Sequence, residues 1–172
     1  MPDSTHDPFD FGPSLTISGY SLVAASGHLL RRCQQRAEEL FAEEVGADGP
    51  TPRQFAILLS VHQNPGLNQT DLVRLIGIDR STLTELLRRM IARGMLRRER
   101  READRRNNAL YMTTPGEDVL KGALPAVARA QERIMEPVPL ADRPAVMNIL
   151  GLLAGVGPVT KPTTDSDPPE RR

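Results

Sequence analysis

Apolar residues recur at three- and four-residue steps through most of this chain, the spacing of one helical face. From about Ser18 to Val45 the marks are Leu22, Leu29, Leu30, Cys33, Ala37, Leu40 and Phe41, and Gly46, Asp48, Gly49 and Pro50 break the pattern. Thr51-Pro52-Arg53-Gln54 then reads as a helix start. Thr51 suits the cap, Pro52 the first helical position, and Gln54 can reach back to close a capping box. Phe55, Ile57, Leu58 and Val61 carry this helix to a stop at Asn64-Pro65-Gly66. Asn68-Gln69-Thr70-Asp71 opens a shorter helix through Leu72, Val73, Leu75 and Ile76, which ends at Gly77, a residue free to take positive φ. Asp79 caps the next helix, whose inward face is Leu83, Leu86, Leu87, Met90 and Ile91, and Gly94 ends it.

After Gly94 the period changes. Met95–Arg101 reads as a half-exposed strand, polar Glu102–Asn108 as a turn, and Ala109–Thr113 as the returning strand. Thr114-Pro115-Gly116-Glu117 is a second capping box, opening a long helix to about Met135 with Pro125 as a point of kinking. Pro137 and Pro139 break it, and a last helix spans roughly Asp142 to Leu153. Two short helices around a glycine turn, followed by a hairpin, predict a winged helix-turn-helix. The fold class is therefore mainly α with a small β-hairpin wing. The expected organisation is a mobile arm over 1–17, a dimerisation helix within 18–50, a DNA-binding domain over 51–114, C-terminal dimerisation helices over 115–157, and a Pro- and charge-rich disordered tail over 158–172.

The 172 residues suit one domain with helical extensions. Without Trp, and with four Phe and two Tyr, the core must be built from Leu, Ile, Val, Met and Ala, and an RNA-stacking surface of exposed aromatics is excluded. The single cysteine, Cys33, excludes an intrachain disulfide scaffold. The N-terminus lacks the basic and apolar regions of a signal peptide, and the apolar stretches Ala56–Leu59 and Ile149–Val156 are too short to span a bilayer. A cytoplasmic protein without membrane contact is expected.

Charge changes this picture most. The net charge is zero, which at face value argues against a polyanionic partner. Yet residues 80–106 hold ten Arg against Glu85, Glu99, Glu102 and Asp104, a local balance of +6, so the remainder carries −6. The basic stretch coincides with the second helix of the helix-turn-helix and its hairpin, which points to double-stranded DNA. Arg80, Ser81, Thr82, Thr84, Glu85, Arg88 and Arg89 fall on or near the outer faces of that helix. Ser81, Thr82 and Thr84 lie in its first turns, where short hydroxyl side chains can meet base edges. For Ser81 and Thr82 the competing reading is plain helix capping. Arg88 and Arg89 suit phosphate or guanine.

The run from Asp79 to Gly94, then Leu96-x-x-Arg, Asp104-Arg-Arg106 and Leu110-Tyr-Met-Thr-Thr-Pro-Gly116, resembles the MarR family of bacterial transcription regulators. The likeness spans about 20–155 in element order and is strongest over 51–116, with Met112-Thr113 where the family usually has Leu-Thr. It implies an obligate homodimer whose first, fifth and sixth helices interlock, reading a pseudo-palindrome. It also implies that Asp104 braces the wing through an Arg while Arg105 or Arg106 enters the minor groove, with Arg101 on the same wing. An ordinary turn-forming role is the alternative for Asp104. The apolar stripes of the long first helix and the two last helices agree with dimerisation, since so small a domain cannot cover them.

The segment Gly27–Arg36 is similar to the first helix of family members that control aromatic-compound catabolism, released from DNA by small aromatic acids, such as hydroxylated pyridine carboxylates, or by aromatic CoA thioesters. Arg31 and Arg32 can hold a carboxylate or phosphate, His28 lies on a nearby helical face, and Gln54 and Phe55 could add a polar contact and a ring. An interface histidine and surface ion pairing are the alternatives for His28 and the arginines. Cys33 lies on the apolar stripe, so a core thiol is expected over a redox sensor. His6, His28, His62 and Cys33 show no metal-ligand spacing, no cofactor motif is present, and no Ser-His-Asp pattern or phosphate-cradling loop supports an enzyme. A helical interaction protein without DNA binding would leave the Arg-rich wing unexplained.

Overall fold

The computed structural model describes residues 21–101 and 104–157, with the side chains of 100–108 outside that description. The elements are α1 (Ser26–Val45), α2 (Pro52–Gln63), α3 (Gln69–Ile76), α4 (Arg80–Ala92), β1 (Leu96–Arg101), β2 (Asp104–Met112), α5 (Thr114–Met135) and α6 (Arg143–Leu153), preceded by a 3-10 turn at Leu22–Ala24. This is the expected order of four helices, a hairpin and two helices. The first helix starts later than the apolar period suggested, because Ala25 is extended (φ −70°, ψ 119°) and separates the 3-10 turn from α1.

Local chemistry explains most boundaries. Thr51 accepts from Gln54 N (3.3 Å) while Gln54 Oε1 accepts from Thr51 N (3.0 Å), closing the capping box of α2. Asn68 accepts from Asp71 N at 3.0 Å to cap α3. Gly77 ends α3 in the left-handed region (φ 72°, ψ 28°), the bend that sets α4 across α3.

Two boundaries differ from expectation. β2 begins at Asp104, not Ala109: the polar stretch Asp104–Asn108 is strand, with Arg100 opposite Asn108 and Arg101 opposite Asp104 across a register irregularity. Ladder hydrogen bonding is a backbone property, so polar side chains do not prevent it. At the start of α5 the cap is Thr113, not Thr114. Its hydroxyl accepts from Gly116 N (3.3 Å) and donates to Gly94 O (2.5 Å), while Glu117 pairs forward with Lys121 (3.1 Å). The helix continues through Pro125 to Met135.

The core is one cluster in which Ile57, Leu58 and Val61 of α2, Leu72 of α3, Leu83, Leu87 and Met90 of α4, and Leu96 and Leu110 of the hairpin are fully enclosed. Each such side chain contributes about 1.5–3 kcal/mol of transfer free energy. Leu67 bridges Leu110 on the outer edge of β2, tying the α2–α3 connection to the wing. Leu120, Ala123 and Val127 bring α5 into the same core. α1 joins it only near its C-terminal end, through Phe41 and, packed against the cluster, Val45. Phe41 meets Phe55 edge-on, centroids 6.1 Å apart. Glu44 accepts from Arg129 (2.8 Å) and Arg133 (2.9 Å), and Glu43 from Arg133 (2.8 Å), clamping α1 to α5.

Among the described residues, 135–157 form a second compact unit. Its helix α6 is steadied by Arg143 Nε donating to Val138 O (3.1 Å), and Met147, Ile149, Leu150, Leu152 and Leu153 are exposed.

Candidate nucleic-acid interface

The interface is built on α4. Leu83, Leu86, Leu87 and Met90 bury one side of this helix, which leaves Arg80, Ser81, Thr84, Glu85, Arg88 and Arg89 exposed and Thr82 half-buried. Asp79 organises the first turn. Its carboxylate accepts from Thr82 N (2.8 Å), Thr82 Oγ1 (2.6 Å) and Ser81 Oγ (2.5 Å). The Ser81 hydroxyl, followed by Thr82, holds the Asp79 carboxyl far below the usual carboxylate range. The resulting anion faces the positive end of the α4 dipole. It also takes both hydroxyl protons, so in this arrangement Ser81 and Thr82 serve the cap and keep only acceptor lone pairs for another partner.

Two side-chain bonds join α3 to α4. Arg80 Nη2 donates to Thr70 Oγ1 at 2.9 Å, and Gln69 Nε2 donates to Thr84 Oγ1. Thr84 in turn donates to Arg80 O at 2.7 Å. The next residue, Glu85, accepts twice from Arg88 (Nε 3.0 Å, Nη2 2.8 Å) and pairs with Arg89 at 3.6 Å. The Arg88 bond lowers the Glu85 carboxyl from its ordinary value and raises the Arg88 guanidinium. All three side chains are more than half exposed, so a phosphate can compete for the arginines.

The wing continues the basic surface. Arg97 lies 4.8 Å from the Tyr111 ring centroid and pairs with Glu99. A hollow of about 390 Å³, lined by Thr84, Arg88, Ile91 and Arg98, separates α4 from β1. The backbone of Arg101 and of Asp104–Arg106 follows the two strands, but the side-chain roles expected for Arg101, Asp104, Arg105 and Arg106 lie outside the described residues.

The expected ligand residues are not gathered in one chain. Arg31 Nη2 and His28 Nδ1 are 2.9 Å apart on α1, and Arg32 is exposed beside them. Gln54 is committed to the capping box and Phe55 is buried against Phe41. His28 precedes Phe41 by thirteen residues, about 20 Å along a helix axis. Cys33 is exposed, contrary to the core thiol expected, because among the described residues α1 is buried only at Leu40 and Phe41. A separate hollow of about 300 Å³, lined by Glu38, Thr51, Pro52, Arg53 and Leu86, opens where α1, α2 and α4 meet. Glu38 and Arg53 had no sequence signal of a site. Among the described residues no His, Cys, Asp or Glu cluster could hold a metal, and no helix is long and apolar enough to cross a membrane.

The MarR family model matches residues 51–107, which run from the α2 cap into β2. A transcriptional regulatory protein ascribed to the hcr operon of Thauera aromatica is 30% identical over 131 residues, covering 76% of this chain and 79% of that protein. The chain belongs to the MarR family. This MarR-type transcriptional regulator is not an enzyme, in keeping with its family. Its fold is shared with the repressor CouR, solved bound to a 23-mer DNA duplex (34% identity, TM-score 0.71, 77% of this chain and 94% of that one) and to p-coumaroyl-CoA (32% identity, TM-score 0.70, 77% and 94%). It is shared too with BpsR of Bordetella bronchiseptica, whose DNA binding is regulated by 6-hydroxynicotinic acid (26% identity, TM-score 0.70, 74% and 97%).

Proposed function

We propose that this regulator is a homodimeric repressor that holds a pseudo-palindromic operator with α4 and the wing, and releases it when a small aromatic acid or its CoA thioester binds. The observation that carries DNA binding is the coincidence of the +6 stretch with the exposed face of α4 and the hairpin, on a chain otherwise at −6. In this reading Arg88 and Arg89 leave Glu85 for phosphate or guanine, and Arg105 or Arg106 enters the minor groove, where a narrow groove's potential favours a guanidinium. Asp104 braces the wing.

Dimerisation is supported by exposed Leu22, Val23, Leu29 and Leu30 before and within α1, and by exposed Ile149, Leu152 and Leu153 in α6. A second copy would cover these residues and bring a second set of charges to the half-buried His28 and the exposed Arg31 and Arg32. The residues 51–114 then form the DNA-binding part, flanked by dimerisation helices, and the protein works in the cytoplasm. The aromatic effector is supported by what CouR and BpsR bind.

A mobility-shift assay on the DNA flanking its own gene tests the reading. A shift is expected that weakens steeply with salt and is lost in Arg88→Ala and Arg106→Ala. No shift, or a shift unchanged in both variants, would overturn it. Aromatic acids and their CoA thioesters should raise the thermal midpoint and release the DNA; stabilisation without release would remove the effector part alone.

A further inference from the structure

The bond between Gln69 and Thr84 spans fifteen residues of sequence and joins the first turn of α3 to the exposed face of α4. Its chemistry fixes its direction. Thr84 has one hydroxyl proton, and that proton goes to Arg80 O at 2.7 Å. Toward Gln69 the hydroxyl can therefore only accept, so the carboxamide must present its NH2 to Thr84 and hold Oε1 away from it. One amide proton satisfies Thr84. When that is the proton anti to Oε1, the free edge of the carboxamide carries one donor beside one acceptor. Gln69 is half-buried, so its side chain is held without being sealed off from a ligand. The adjacent Arg80–Thr70 bond (2.9 Å) holds the same two helices together.

A fixed carboxamide with a free donor–acceptor edge matches adenine, whose major-groove edge offers N7 as acceptor and N6–H as donor. We propose that Gln69, a residue of α3 and not of the recognition helix, reads one adenine in each half-site, and that Thr84 is a positioning residue that orients it. Thr84 then offers the DNA its methyl group, with its hydroxyl engaged on both sides. This inference rests on the DNA-binding reading above.

The test is selection of bound duplexes from a random pool by full-length wild type and by Gln69→Ala, Gln69→Glu, Thr84→Val and Thr84→Ser, with thermal midpoints as the folding control. Wild type is expected to enrich a two-fold motif containing a required adenine. Gln69→Ala should relax that one position by about 10-fold, as loss of a bidentate contact does, and leave the other positions intact. Gln69→Glu, which can only accept, should exchange adenine for cytosine there. Thr84→Val should relax the same position, and Thr84→Ser, which keeps the hydroxyl, should restore it. Uniform weakening at every position in Gln69→Ala would assign Gln69 to phosphate and overturn the proposal, as would an unchanged motif, while DNA binding by wild type stood. Failure of wild type to enrich any motif would overturn the DNA-binding reading and this inference together.

Discussion

Phe41 of α1 and Phe55 of α2 meet edge to face, with centroids 6.1 Å apart and planes at 63°, and this contact seats the long first helix on the core. Both rings are buried, and α1 buries only Leu40 besides. Phe41→Ala is expected to cost about 3–5 kcal/mol, the range for truncating a buried aromatic. Urea unfolding at fixed protein concentration measures it, since dimerisation would make stability concentration-dependent. A loss under about 1 kcal/mol, well below the usual cost of emptying a buried aromatic site, would mean that α1 is held mainly by the Glu44 clamp.

Asp79 should give acid unfolding part of its shape. Its native value lies below the ordinary 3.8, so its ionisation stabilises the fold above that pH and ceases to do so as pH falls through the native value. Asp79→Asn keeps a good capping oxygen and cannot titrate. Its thermal midpoint at neutral pH should lie between wild type and Asp79→Ala, and its acid limb should be flatter than that of wild type. Parallel acid limbs would show that the cap charge does not matter.

Glu44 follows the same sign for a different partner. The Arg129 hydrogen bond, then that of Arg133, lowers its carboxyl below the ordinary 4.5. Glu44→Gln should therefore be less stable than wild type near neutrality, with the gap closing as pH falls below 4.5. Added salt should narrow the gap only in part, because the Glu44 side chain is 18% exposed. A gap that stays constant with pH would point to packing, not charge.

Gly116→Ala should be costly although the glycine is helical. A Cβ there would strike Met95 O and the Met112 sulfur, in the base of the wing. Overpacking of this kind costs about 1–3 kcal/mol, read as a lowered thermal midpoint with weakened DNA binding. The double variant Gly116→Ala, Met112→Ala should not recover, because the Met95 clash is with backbone. Full recovery would locate the constraint in the methionine side chain.

The elements that sequence reading recovers best are those decided within one turn of helix. Thr51, Asn68, Asp79 and Gly77 act on residues two to four positions away, so their roles show in the order of residues alone. Asp104–Asn108 did not look like strand because pairing with Arg100 and Arg101 is a relation between two segments. Thr113 and Thr114 are equal as letters, and the carbonyl of Gly94, nineteen residues earlier, favours the first. Cys33 lay on an apolar stripe, but a stripe records what a helix can bury, not whether a single chain supplies the partner. In the candidate interface, the Arg-rich exposed face was legible from periodicity. The sharing of Ser81 and Thr82 with Asp79, and of Gln69 with Thr84, depends on where hydroxyl protons go, which composition does not encode.

Thr113 binds Gly94 O on one side and Gly116 N on the other, so the end of the recognition-helix segment, the base of the wing and the start of α5 share one joint. No flexible linker lies between them to absorb a rotation. In the proposed repressor, a ligand that turned α5 would carry the wing round with it, as an axle carries a vane, and need never approach the DNA to dislodge it. The same joint works backwards, because coupling free energy is reciprocal. An operator that fixes the vane resists the turn, and so lowers the affinity for any ligand that requires it by the same factor.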